Sequence, residues 1–176
     1  MPDERLYFAY GSNINLHQMT RRCPHAVVIG PVDLPDYRLA FRASGVATIL
    51  PEKGSTVHGL LWNLTPECEL SLDHYEGFPN FYEKQDLIAY GINGERYPVM
   101  AYVMTPENAR IIAEPIPYYC SGIRAGFIQN GMAVPDFDRA LARGQREARE
   151  ALRDPWQDFG RKLQDKQKPK KRGRDR

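Results

Sequence analysis

Apolar and aromatic positions fall in short blocks along this chain, and the breakers between the blocks mark out its elements. Leu6-Tyr7-Phe8-Ala9-Tyr10 is free of charges and stops at Gly11-Ser12-Asn13, the pattern of a buried strand entering a tight turn. Ser12 and Asn13 both suit the N-cap of a helix, so a short helix is expected to follow. Ala26 to Ile29 and Tyr37 to Phe41 read as strands around the turn signal Leu34-Pro35-Asp36, with Gly30-Pro31 as a bend or bulge in one long, irregular ribbon. Val46 to Leu50 is a wholly apolar strand ended by Pro51-Glu52-Lys53-Gly54. Val57 to Leu64 is another, with Gly59 in its interior as a bulge or a point of close backbone approach.

Thr65-Pro66-Glu67 opens a helix with a cap, a proline in the first turn and an acidic residue. Its apolar side carries Leu70, Leu72 and Tyr75, and it stops at Gly77 before Pro79. Phe81 to Tyr90 and Tyr97 to Met104 form a hairpin around Gly91-Ile92-Asn93-Gly94. After the breakers Pro115 and Pro117, Tyr118 to Asn130 reads as a helix stopped by Gly131, and Asp136 to Leu152 as a charged amphipathic one. Six or seven strands against three or four helices, joined in hairpin fashion, predict an α+β fold with a curled, mainly antiparallel sheet rather than a doubly wound one.

A chain of 176 residues with 42% hydrophobic content suits one folded domain, expected over residues 1–160. The net charge of +2 hides an asymmetry. Residues 161–176 hold nine Lys or Arg against two Asp, whereas the rest holds fifteen basic against twenty acidic residues. The basic end has no means to bury a core and is expected to be a disordered tail. It could touch the phosphate backbone of a nucleic acid weakly and without sequence preference, although it lacks aromatics for base stacking. No stretch approaches the roughly 20 apolar residues of a membrane span, and the first apolar run is too short for a secretory leader. Cys23, Cys68 and Cys120 are odd in number and lack zinc spacing. They are expected to be small buried residues of a cytoplasmic protein rather than structural zinc ligands or a disulfide framework.

Two stretches carry candidate chemistry. Unpaired N–H groups and a helix start at Gly11-Ser12-Asn13 would receive a small anion such as a carboxylate, though the same turn also serves a junction capped only for stability. Glu76 ends the helix before Gly77, where the dipole disfavours an anion, among Tyr75, Phe78, Phe81 and Tyr82. A carboxyl in such surroundings is raised toward neutrality and suits acid–base work. A solvated helix-end glutamate is the plainer reading. Asp73 and His74 are expected at the surface or behind the site.

Tyr7-Phe8-Ala9-Tyr10-Gly11-Ser12-Asn13, Gly45-Val46-Ala47-Thr48-Ile49, Tyr75-Glu76-Gly77-Phe78-Pro79 and Ala101-Tyr102-Val103-Met104-Thr105 together closely resemble the γ-glutamylcyclotransferase superfamily with its AIG2-like members, in the same order, over about residues 6–130. The resemblance implies a small, curled mixed β-barrel flanked by helices. It implies an enzyme that cyclises a γ-glutamyl group to 5-oxoproline and releases the attached amine, with a small-molecule γ-glutamyl substrate and no cofactor. Glu76 matches the family's catalytic glutamate. Tyr10, Gly11, Ser12 and Asn13 would grip the α-carboxylate and α-amino end, and Tyr102 and Tyr119 would line the pocket, with Tyr118 the alternative to Tyr119. Arg42, His58, Trp62 and Arg124 are expected to set the leaving amine. A catalytically idle binding module of the same fold, holding an acidic metabolite or a peptide end, is the alternative.

Overall fold

Residues 4–153 are described by the computed structural model of the chain. In order they form β1 (Arg5–Ala9), a 3₁₀ turn (Ser12–Ile14), α1 (Leu16–Arg22), β2 (Val27–Arg42), β3 (Val46–Leu64), α2 (Pro66–Glu76), β4 (Tyr82–Tyr90), β5 (Arg96–Met104), α3 (Pro106–Ala109), α4 (Pro117–Gln129) and α5 (Val134–Ala151). The strands close into a barrel in the order β1-β3-β2-β4-β5. β1 runs parallel to β5 and every other pair is antiparallel. This is the mixed, helix-flanked α+β barrel expected from the sequence.

The strand count differs from the expected six or seven. Pro51 to Gly54 does not end a strand: Pro51 pairs with Tyr37, and β3 runs unbroken for 19 residues against the 16 of β2. The ladder absorbs its irregular residues in bulges, between Val28 and Gly30 and between Pro35 and Tyr37. At the second, Asp36 takes a φ of 63° and its carboxylate accepts from Gly54 N–H. The turn chemistry of both segments is thereby used inside one long hairpin. Gly59 is a close approach, since a Cβ there would meet Phe8 Cε2 at 2.3 Å across the β1–β3 ladder.

The helices follow their sequence signals. Thr65 caps α2 by accepting from Cys68 N–H, Pro66 opens it, and Gly77 closes it in the left-handed region at φ 64°. Cys68 and Leu72 form its buried side, whereas Leu70 is exposed and not part of the expected apolar face. The cap of α1 is Asn15, whose side chain accepts from Gln18 N–H, rather than Ser12 or Asn13. Phe8, Ile14, Ile49, Leu60, Leu61, Leu64 and Met100 fill the fully buried centre. All three cysteines are buried and unpaired, as expected. No helix among the described residues is long and apolar enough to cross a membrane. The domain end at residue 160, the basic segment 161–176 and its nucleic-acid contact lie outside the described residues.

Candidate active site

Six strands and helices, with the 3₁₀ turn after β1, line one cavity of about 230 Å³. Tyr10 and Gly11 leave β1, Val46 and Ala47 begin β3, and Glu76 ends α2. Phe81 and Tyr82 open β4, Tyr102 comes from β5 and Tyr119 from the first turn of α4. All seven residues singled out from the sequence (Tyr10, Gly11, Ser12, Asn13, Glu76, Tyr102 and Tyr119) are in its wall. Tyr119, not Tyr118, faces it; Tyr118 is exposed.

Glu76 is half-buried, and its Oε1 accepts from Asn13 Nδ2 at 3.1 Å. The same amide nitrogen donates to Tyr7 Oη at 2.9 Å. Burial pushes the Glu76 carboxyl up to about 7, against the opposing pull of the Arg22 charge and the Asn13 hydrogen bond. Buried phenols surround it. Tyr7, Tyr10 and Tyr82 are all raised well above the usual tyrosine range, first by burial; the Glu76 charge comes next for Tyr7 and Tyr10, and the neighbouring Tyr10 phenol for Tyr82, so all three remain protonated.

The Gly11–Asn13 turn is held from several sides. Trp62 Nε1 donates to Asn13 O at 3.0 Å, and Arg22 donates to Asn13 Oδ1 at 2.7 Å and Ser12 Oγ at 3.0 Å. Ser12 Oγ lies 3.4 Å from Tyr75 Oη. At Gly11 a Cβ would meet Tyr119 Oη at 2.8 Å, so the tyrosine packs where a side chain would stand. Tyr119 Oη accepts from Ala47 N–H at 3.2 Å and Tyr82 Oη donates to Ala47 O at 2.5 Å, fixing both rings to the start of β3. Tyr10 Oη donates to Tyr102 O. Tyr102 Oη donates to Asp73 Oδ1 at 2.5 Å, and Lys84 pairs with Asp73 and Glu69 at 2.8 Å. Asp73 thus stands behind the site, as expected, while His74 is exposed.

Residues 7–118 match the family described as "Gamma-glutamyl cyclotransferase, AIG2-like". The chain belongs to this family. Among its curated relatives, human "Gamma-glutamylcyclotransferase" is 31% identical over 146 residues, 76% of each chain. The mouse protein of the same name is 28% identical over 172 residues, covering 92% of this chain and 90% of its own. A solved "Gamma-glutamyl cyclotransferase" structure superposes with a TM-score of 0.73 at 28% identity, over 80% of this chain and 88% of that one.

The four residues expected to set the leaving amine stand outside the cavity wall. Arg42 is buried against Glu147, and His58 Nδ1 lies 2.6 Å from an Asp33 oxygen. Arg124 pairs with Asp138 at the surface, and Trp62 supports Asn13 from behind. Each is a packed or paired residue, the ordinary fate of a lone Arg, His or Trp. Conversely, Arg22 escaped notice in the sequence because an arginine in the last turn of a helix carries no local signal of a distant partner.

Proposed function

We propose that this protein cyclises a γ-glutamyl group to 5-oxoproline and releases the amine to which it was attached, with Glu76 carrying the proton. The observation that carries the reading is a carboxylate ending a helix in an aromatic cavity, held by one amide and poised near neutrality. The family and the names of its curated relatives support the same reaction.

The chemistry follows from that poise. The α-amine of a γ-glutamyl compound is an ammonium at neutral pH and cannot attack. Ionised Glu76 takes one proton, and the freed nitrogen attacks the γ-carbonyl carbon to close the five-membered ring. The bond to the departing nitrogen then breaks as protonated Glu76 returns the proton to it. Two protons leave the attacking nitrogen and two arrive on the released ammonium, so the reaction takes up none overall. The Gly11–Asn13 turn with Tyr10 would grip the α-carboxylate and α-amino end, and Tyr102 and Tyr119 would shape the walls. Fixing both ends of the glutamyl chain turns ring closure into a near-attack arrangement, which can supply several kcal/mol.

The test is 5-oxoproline release from a panel of γ-glutamyl compounds, with Glu76→Gln beside the wild type. Release is expected from one class of amine, with a loss of about 10²- to 10⁴-fold or more in the variant and an unchanged circular dichroism spectrum. Retained turnover in Glu76→Gln would end the assignment of the base. Tight binding of every γ-glutamyl compound without release would support the idle binding module instead.

A further inference from the structure

Arg22 ends α1, and the reaction as proposed gives it no part. Its guanidinium is nevertheless heavily engaged. Nη1 donates to Asn13 Oδ1 at 2.7 Å and to Ser12 Oγ at 3.0 Å, and Nη2 donates to Gln18 Oε1 at 2.8 Å. Its Cζ stands 3.7 Å over the Tyr75 ring centroid, and its backbone carbonyl accepts from Ser71 Oγ at 2.6 Å. One arginine therefore joins α1, the site turn and α2, using the planar fork and stacking face that lysine lacks.

The contact to Asn13 has a chemical consequence. A carboxamide has an accepting and a donating side. With Oδ1 taken by the guanidinium, Nδ2 must face Tyr7 Oη and Glu76 Oε1, as it does. The flipped amide would set its oxygen against the carboxylate. The other titratable groups facing Glu76 are Tyr7 and Tyr10 from the β1 end, Tyr82 from β4 and Tyr119 from α4. All four are held as phenols by burial. Lys84 of β4 is taken up by Glu69 and Asp73. Among the described residues, Arg22 is the cation that opposes the cost of burying the Glu76 charge.

We infer that Arg22 is a positioning residue for this reaction: through the Asn13 amide and its own charge it keeps the Glu76 carboxylate oriented and ionised within an aromatic wall. The inference rests on Glu76 as the proton carrier. Removing the guanidinium charge lifts Glu76 above about 7, because burial then acts against a weaker opposition.

Two variants separate charge from geometry. Arg22→Met keeps the length and loses charge and fork, and Arg22→Lys keeps the charge alone. The readouts are the carboxyl titration of Glu76 by carbon NMR, assigned against Glu76→Gln, and the pH profile of kcat/KM for 5-oxoproline release. In Arg22→Met, both the titration and the acidic limb are expected at higher pH. Each unit lowers the rate on that limb about tenfold, and most of the loss is recovered as the pH rises. In Arg22→Lys the limb stays in place and the loss is smaller and equal at every pH. An unmoved Glu76 titration in Arg22→Met, with a loss independent of pH, would overturn the inference and leave Arg22 a purely structural tie. A moved titration in a protein that releases no 5-oxoproline would uphold the tie to Glu76 and remove the proposed reaction.

Discussion

At the scale of single residues, the role proposed for Glu76 would couple activity to stability with opposite signs. Its proton-accepting form is the carboxylate, so kcat/KM is expected to rise on an acidic limb near pH 7, where the carboxyl titrates in the fold. In the unfolded chain the same group titrates near 4.3. Between these values the native state binds the extra proton, so stability falls as pH rises from about 4.3 to about 7, by on the order of 3 kcal/mol. Glu76→Gln has no charge to bury and keeps an oxygen for the Asn13 amide. The variant is expected to be inactive yet to melt several degrees above the wild type at pH 8, with the advantage gone at pH 4. Paired melting scans at the two pH values check this. An advantage of the same size at both would mean that the buried charge is not its source. Glu76 was legible in the sequence because a glutamate directly before a helix-stopping glycine, among aromatics, is a local pattern. Arg22 was not, since its partners are at positions 12, 13, 18 and 75 and only folding brings the two outer groups to it.

At the scale of elements, α4 shows how a helix is set close to the site. Gly126 lies against the 3₁₀ turn, where a Cβ would meet Ile14 C and Asn15 N, each at 2.8 Å. Asn15 Nδ2 donates to Gly122 O, and Asn130 Nδ2 donates to Ile14 O, so polar ties from both sides lock the helix to the turn. Gly126→Ala would gain about 1 kcal/mol in helix propensity and lose about 1–3 kcal/mol to overpacking. Because the clash is with backbone, overpacking is expected to win. Urea unfolding should show a net loss, and displacement of Tyr119 on the same helix should raise KM. A stabilised variant with unchanged KM would mean that α4 is free to shift. The ends of α2 were readable at this scale, from the Thr65-Pro66 start and the Gly77 stop, because caps are local chemistry, whereas Ser12 and Asn13 offered the same capping chemistry as Asn15, which caps α1. Strand ends were not readable. Pro51 to Gly54 carries every mark of a terminator, and only the facing bulge at Asp36 lets the strand continue.

At the scale of the molecule, the long β2–β3 hairpin must be held to α5, and ion pairs between them do so. Glu147 of α5 accepts from Arg38 Nη2 and Arg42 Nη1, each at 2.9 Å, while Arg143 forks onto Glu52 of β3 at 2.7 and 2.9 Å. Gly144 lets the helix settle against Phe41, which a Cβ would meet at 2.6 Å. Burial works against the Glu147 charge, yet Arg42 and Arg38 overrule it and hold the carboxyl below its usual range. The side chain of Arg42 is only 8% exposed, and that of Arg38 15%. Glu147→Gln therefore leaves Arg42 without its carboxylate and Arg38 with only the longer contact to Glu52 at 3.6 Å, and a cost of about 3 kcal/mol is expected at pH 7, near the lower end for broken buried pairs. A carboxyl depressed by folding stabilises above its unfolded value near 4.3, and the benefit is lost as pH falls through the lower native value. The gap between wild type and variant should accordingly narrow below about pH 4 in urea titrations. None of these residues is in the cavity wall, so kcat/KM of the folded variant should match the wild type at 25 °C. A large loss of activity at full folding would instead tie the α5 face to the site. An unchanged gap at low pH would assign the cost to packing rather than to charge.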